Sequence, residues 1–249
     1  MNTVADSFVR NVQRDPINGP LAIVGCERSG VIRDALRSVG VNAHSCDLAP
    51  SEDDSPFHIQ GDILEVLRDR GDMARLVIVH PECTYVASSG LHWNKRIPGR
   101  AEKTEAALEF IRKLMEWAIE HKEQDAGAVQ FVLENPQGCI GTRLPAHDRH
   151  FYRQTVQPWM FGDDASKATV LRLQNLPTLK ATQIHYGREV EWPKGSGKIV
   201  NRWANQTDSG QNKLAPSATR WMERSRTYPG LARAVADQWG VPLVNAWNQ

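Results

Sequence analysis

Four positions in this chain place a reactive or acidic side chain at or just past the end of a candidate strand or in a link after one. The run Val77-Ile78-Val79 stops at His80-Pro81, and Cys83 follows two residues past the proline. The run at 129–133 stops at Glu134-Asn135-Pro136. The run at 41–45 ends in Cys46-Asp47-Leu48, and a polar link then leads to Gly61-Asp62-Ile63. A loop cysteine is a candidate nucleophile, and a carboxyl beside it can hold or move a proton. A free cysteine is equally at home as a small buried residue, so Cys83 gains meaning only from what stands next to it. In open α/β sheets ligands gather outside the carboxyl ends of the strands. If these runs are parallel strands, Asp47, Asp62, Cys83 and Glu134 share one edge.

The elements around them read that way. Residues 1–19 form a loose arm ending in Asn18-Gly19-Pro20. A short buried strand at 21–24 runs into Gly25-Cys26-Glu27-Arg28-Ser29-Gly30, and Val31, Ile32, Ala35, Leu36 and Val39 then keep helical spacing up to Gly40. Strand, glycine-bearing turn, helix, strand and acid is the order of a nucleotide-type half-fold. Asp47 lies 22 positions after Gly25, near the ~20 that puts an acid on ribose hydroxyls. The loop is not GxGxxG, which disfavours a dinucleotide and leaves room for an adenosine cofactor without a pyrophosphate. A short helix follows Asp62 and breaks at Gly71. At 101–120, Ala106, Ala107, Phe110, Ile111, Leu114, Trp117 and Ala118 make one apolar stripe, which predicts a core helix. Residues 1–174 are read as a catalytic and cofactor domain, 175–227 as a small recognition segment, and 228–249 as a returning C-terminal helix centred on 231–239.

Composition narrows the class. With 41% hydrophobic and 24% charged residues, the chain has the make-up of a soluble globular protein. No apolar run reaches the ~20 residues of a membrane span, and the N-terminus lacks a signal pattern. A cytoplasmic monomer without membrane contact is therefore expected. Cys26, Cys46, Cys83 and Cys139 are scattered with no CxxC, which predicts neither a disulfide framework nor a metal site. Net charge is only +1, but residues 188–226 hold eight Lys/Arg against four Asp/Glu. Within that zone Lys194, Lys198, Arg202 and Lys213 suit phosphate contacts, and Trp192 and Trp203 suit either base stacking or packing of a segment without a core.

Taken in order, these motifs resemble the cytosine-C5 DNA methyltransferases, and more closely the short phage-encoded cytosine methyltransferase-like proteins. The resemblance runs from about residue 21 to 240. It rests on the first glycine loop, Asp47, Gly61-Asp62-Ile63, a Pro-x-Cys loop with Gly90 seven residues past Cys83, and Glu134-Asn135-Pro136. It implies an α/β, Rossmann-like S-adenosylmethionine-dependent methyltransferase sheet with helices on both faces. It also implies S-adenosylmethionine as cofactor, held by Gly25, Cys26, Glu27, Ser29, Asp47, Leu48, Asp62, Ile63 and Pro81. Cys83 would add to C6 of cytosine and Glu134 would polarise the ring, with Lys167 standing in for the family's base-contacting arginine. Asn135 and Pro136, with Lys194, Arg202 and Lys213, would meet the substrate.

The chain departs from the family at Glu82, where proline is usual, at Thr84 in place of glutamine, and at Pro136 in place of valine. The last cofactor motif is echoed only by Thr227-Tyr228-Pro229-Gly230-Leu231. The resemblance implies DNA as partner, single-stranded or a short-site duplex, and the short recognition segment predicts short or relaxed sequence specificity, since flipping a base and reading a groove both need surface. A free cytosine nucleotide or RNA as substrate, and an inactive cofactor-fold protein that binds nucleic acid or a host enzyme, remain open alternatives. If the chain is phage-encoded, the compartment is the host cytoplasm.

Overall fold

A computed structural model describes residues 15–123, 128–215, 217 and 220–249, the side chain of residue 221 excepted. Most of the expected N-terminal arm, residues 1–14, lies outside the described residues. Seven strands form the main sheet: β1 (Leu21–Gly25), β2 (Asn42–Asp47), β3 (His58–Gln60), β4 (Leu76–Val79), β5 (Gln130–Pro136), β6 (Tyr152–Val156) and β7 (Thr169–Gln174). Their spatial order is β3-β2-β1-β4-β5-β7-β6. The first five run parallel, and β7 is antiparallel to both β5 and β6. This is the expected Rossmann-like α/β sheet. The chain winds from β1 outward to β3 and then returns to β4, so the switch point falls between β1 and β4, where such sheets open a ligand crevice.

Helices cover both faces because the central strands are apolar on both. All five residues of β1 and all four of β4 are buried, as expected of strands packed on two sides. On one face lie α2 (Ile63–Arg70) and α3 (Arg100–Glu120), which enclose Ile23, Val77, Val79, Phe131, Ile111 and Leu114. On the other face α1 (Val31–Ser38) and α5 (Pro229–Val235) enclose Val24, Ile78, Leu36, Leu231 and Trp239.

Three expectations change. The strand read at 129–133 continues through Glu134, Asn135 and Pro136, because β7 pairs with all three. Glu134 is therefore held in a strand rather than on a loop. The C-terminal helix does not stop at 239. A π-helical turn at Ala236–Gly240 carries it into α6 (Val241–Trp247), and Gly240 packs against Val39 and Leu36. On α3, Ile111, Leu114, Trp117 and Ala118 are core, but Ala106 is exposed, and Ala106, Ala107 and Phe110 face a cleft. Beyond β7 the recognition segment holds one hairpin, β8 (Arg188–Glu191) with β9 (Ile199–Arg202), and the short helix α4 (Arg220–Ser225). Among the described residues no helix is long and apolar enough to cross a membrane.

Candidate active site

The carboxyl ends of β1 to β5 and the start of β7 line one cleft of about 1190 Å³. Cys26, Glu27, Ser29, Asp47, Leu48, Asp62, Ile63, Pro81, Cys83, Glu134, Pro136 and Lys167 all line it. The sheet order divides them. Asp62, Asp47 and the β1 loop lie on one side of the switch point, and Pro81, Cys83, Glu134 and Lys167 lie on the other.

The β1 side is built by turn and cap chemistry. Cys26 turns the chain in the left-handed region at φ 57°, which costs a non-glycine residue conformational energy and marks a constrained loop. Burial, and then the carboxylates of Asp47 and Asp62, push its thiol far above the ordinary range. Glu27 is buried, and its two carboxyl oxygens accept from the amides of Ile32 and Arg33 at 2.7 and 3.2 Å. It thereby satisfies open amides of the first turn of α1. Gly25 does not reach the cleft wall: a Cβ there would lie 2.6 Å from Ile63, so the glycine lets α2 pack against β1.

Asp47 and Asp62 each use one oxygen locally. Asp47 Oδ1 accepts from Ala49 N, and Asp62 Oδ1 caps α2 by accepting from Leu64 N, both at 2.9 Å. Their second oxygens have no hydrogen bond from the described residues and are placed to accept from a ligand. Leu48, 75% exposed, offers an apolar face beside them. Two acceptors and an apolar flank fit the hydroxyls, amine and ring of an adenosine.

The cysteine loop is tied down at several points. The side-chain amide of Asn135 donates to Pro81 O at 2.9 Å. Arg100 donates to Thr84 O, and the Thr104 hydroxyl donates to Tyr85 O, each at 2.9 Å. Cys139 N donates to Val86 O at 2.9 Å, and a Cβ at Gly138 would collide with that oxygen. Asn135 is thus fully buried and holds the loop from behind, which corrects its expected place on the substrate surface. Burial pushes the Cys83 thiol up; Lys167 opposes this, Glu134 adds to it and Arg224 opposes it. Glu82 is exposed and is not among these charges.

Glu134 sits one step beyond Leu133, the residue paired with Val79 at the end of β4. Its Oε2 lies 3.2 Å from His80 Nδ1. Burial alone would raise this carboxyl, but the His80 bond and the Lys167 charge outweigh it and hold it at about 2. It is a carboxylate at neutral pH. Lys167 Nζ donates to Arg224 O at 3.0 Å, which draws α4 against the site.

Other residues of the cleft are not among the expected site residues. Arg28, Arg100 and Lys103 line it, as do Ser217, Arg220, Arg224, Ser225 and Thr227 from the α4 region. Six residues of α4 are too few to show helical periodicity. In contrast, Lys194, Arg202 and Lys213 are not brought to the cleft. Lys194 is exposed between the hairpin strands, Arg202 donates to Asp208 O, and Lys213 donates its backbone amide to Asn205 O. Trp203 stacks on Trp159 at 5.5 Å and donates to His185 O, so it packs the segment rather than presenting a face to a base.

No family model matches the sequence, and no curated protein matches it. Among solved structures, S. pombe Dnmt2 methyltransferase aligns at 13% identity and a TM-score of 0.40, over 64% of this chain and 50% of that one. A mutant DNMT2 of Spodoptera frugiperda aligns at 13% identity and a TM-score of 0.37, over 66% and 54%. This chain spans about half the length of each of them. The Rossmann-like assignment rests on the strand order and register of the sheet itself.

Proposed function

We propose that this protein is an S-adenosylmethionine-dependent methyltransferase acting on C5 of cytosine in DNA. The observation that carries the reading is that Cys83, Glu134 and Lys167 share a cleft with Asp47 and Asp62 across the switch point of the sheet. The cofactor's adenosine would lie against Asp47, Leu48 and Asp62, with Ile63 and Pro81 flanking it. When bound, S-adenosylmethionine supplies an electrophilic methyl group.

The chain's own residues would do the rest. A thiol is a nucleophile only as thiolate, and burial pushes the Cys83 thiol up. Lys167 and Arg224 are the charges that favour its ionisation. Addition of the Cys83 sulfur to C6 would make C5 nucleophilic, and once C5 is methylated, loss of its proton to water would expel the sulfur as thiolate. Glu134 would receive the exocyclic amine of the base. The cationic lining of Arg28, Arg100, Lys103, Arg220 and Arg224 suits the phosphates of a polynucleotide.

Mass spectrometry of nucleosides from nucleic acid incubated with the protein and cofactor tests this. The expected product is 5-methylcytosine in DNA. Modified cytosine in RNA alone, or in a free nucleotide alone, would replace the substrate named here. No modified nucleoside from any of the three would remove the reading.

A further inference from the structure

Glu134 presents a difficulty for the chemistry just proposed, on which the following inference rests. When a sulfur adds to C6 of cytosine, electron density builds on N3, which must be protonated or strongly hydrogen-bonded. Glu134 is a carboxylate at neutral pH, held at about 2 by its surroundings, and carries no proton to give. Its neighbours are therefore decisive. Lys167 Nζ is engaged with Arg224 O. His80 is the side chain whose ring nitrogen lies 3.2 Å from the carboxylate, with only 12% and 17% of the two side chains exposed. The second ring nitrogen, Nε2, is buried and has no hydrogen-bond partner among the described residues.

Titratable groups surround the ring. Three of them bear on it from the packed elements: Glu134 from β5, Glu27 from the β1 loop, and Lys167 from the approach to β7. Cys83 on its own loop and Tyr228 at the start of α5 also line the pockets that the ring borders, as do Arg28 and Arg224. The position before Pro81 needs no imidazole for its backbone role, which is donation of His80 N to Gly25 O at 3.0 Å.

We infer that His80 is the proton store of the site, passing a proton from Nδ1 to Glu134 Oε2 as Glu134 passes one to N3 of the bound base. The step balances. Cys83 first gives its proton to water; as the thiolate forms the C6–S bond, a proton passes from the His80 imidazolium to the Glu134 carboxylate and from Glu134 to N3, so the N3–H bond forms, Glu134 ends as a carboxylate again, and the imidazole is left neutral. When the C6–S bond breaks, the proton leaves N3 and returns through Glu134 to His80. No oxidant or further reactant enters. His80 acts through Glu134, so it is a positioning and proton-supplying residue.

The test is the rate of methyl transfer to cytosine-containing DNA as a function of pH, for the full-length wild type and His80→Asn. Asparagine keeps a donor near Nδ1 but cannot titrate. The expected result is a fall in kcat of roughly 10²-fold or more, with cofactor affinity and KM within about threefold of wild type and loss of the limb on which the rate falls as pH rises. A kcat within threefold of wild type with an unchanged profile would overturn the inference while leaving the methyltransferase reading intact. If His80→Asn fails to bind cofactor, the wild-type profile decides alone: one ionisation must lower kcat on the basic side, and its absence overturns the inference. A wild type that transfers no methyl to DNA, RNA or nucleotide would remove the underlying reading and this inference with it.

Discussion

The side-chain amide of Asn135 donates to the carbonyl oxygen of Pro81 at 2.9 Å, tying the end of β5 to the loop that carries Cys83. Both residues are buried. The carboxylate at 134 and the thiol at 83 are thereby fixed relative to one another through this bond. Asn135→Ala leaves a buried carbonyl unpaired, at a cost of about 1–3 kcal/mol. The expected outcome is a melting temperature lower by at least ~2 °C, with a larger fractional loss of kcat than of cofactor affinity. Calorimetry and cofactor titration check this, and an unchanged kcat in a destabilised protein would separate the bond from the site.

Alkylation of Cys83 reports its charge environment directly. Burial and the Glu134 carboxylate suppress its ionisation, while Lys167 and Arg224 favour it. Iodoacetamide should label wild-type Cys83 more slowly than a free thiol at neutral pH. Glu134→Gln removes a negative charge and should speed labelling, and Lys167→Met should slow it. Peptide mass spectrometry reads the rates, and the same order of rates at Cys139, which feels neither group, would mark a general unfolding effect.

Asp47 offers one free oxygen to a ligand. A hydrogen bond to a charged group contributes about 1.5–3 kcal/mol, so Asp47→Ala should weaken S-adenosylmethionine binding by roughly 10-fold or more. Cys83→Ala should leave it unchanged. Isothermal titration distinguishes them, and equal affinities in both variants would move the cofactor away from Asp47.

Acid sensitivity carries a sign that follows from Glu134. Its carboxyl falls from the ordinary 4.5 to about 2 in the folded protein, where burial is outweighed by His80 and Lys167. A depressed folded-state value stabilises above the unfolded value and is lost as pH falls through the folded one. The difference in unfolding free energy between wild type and Glu134→Gln should therefore shrink as pH drops from about 4.5 toward 2. Denaturant melts over that range measure it, and a constant difference would mean the carboxylate is not held by its neighbours.

Much of the site was legible because strand ends are punctuated. Val77-Ile78-Val79 followed by His80-Pro81, and the acids after the other runs, mark where the chain leaves a buried sheet, and the parallel order puts those exits on one edge. The expected cofactor set largely lines the cleft for that reason, with Gly25 turned inward to admit Ile63. Side-chain partners were not legible. Nothing in the local sequence says that Asn135 reaches Pro81 or that His80 meets Glu134, since each pair is 54 positions apart. Composition located basic residues at 188–226 but not their direction. Arg220 and Arg224 come to the cleft, while Lys194 and Arg202 stay on or beside the hairpin.

The central claim is that Cys83 attacks a cytosine held against Glu134. Its most direct measurement is covalent trapping with DNA containing 5-fluorocytosine in the presence of S-adenosylmethionine, where the fluorine cannot leave C5 as a proton does and the adduct persists. The predicted result is an adduct of protein plus oligonucleotide mass, mapped to Cys83 and absent in Cys83→Ala. An adduct at another cysteine, or none with DNA or RNA from a protein that binds the cofactor, would contradict it.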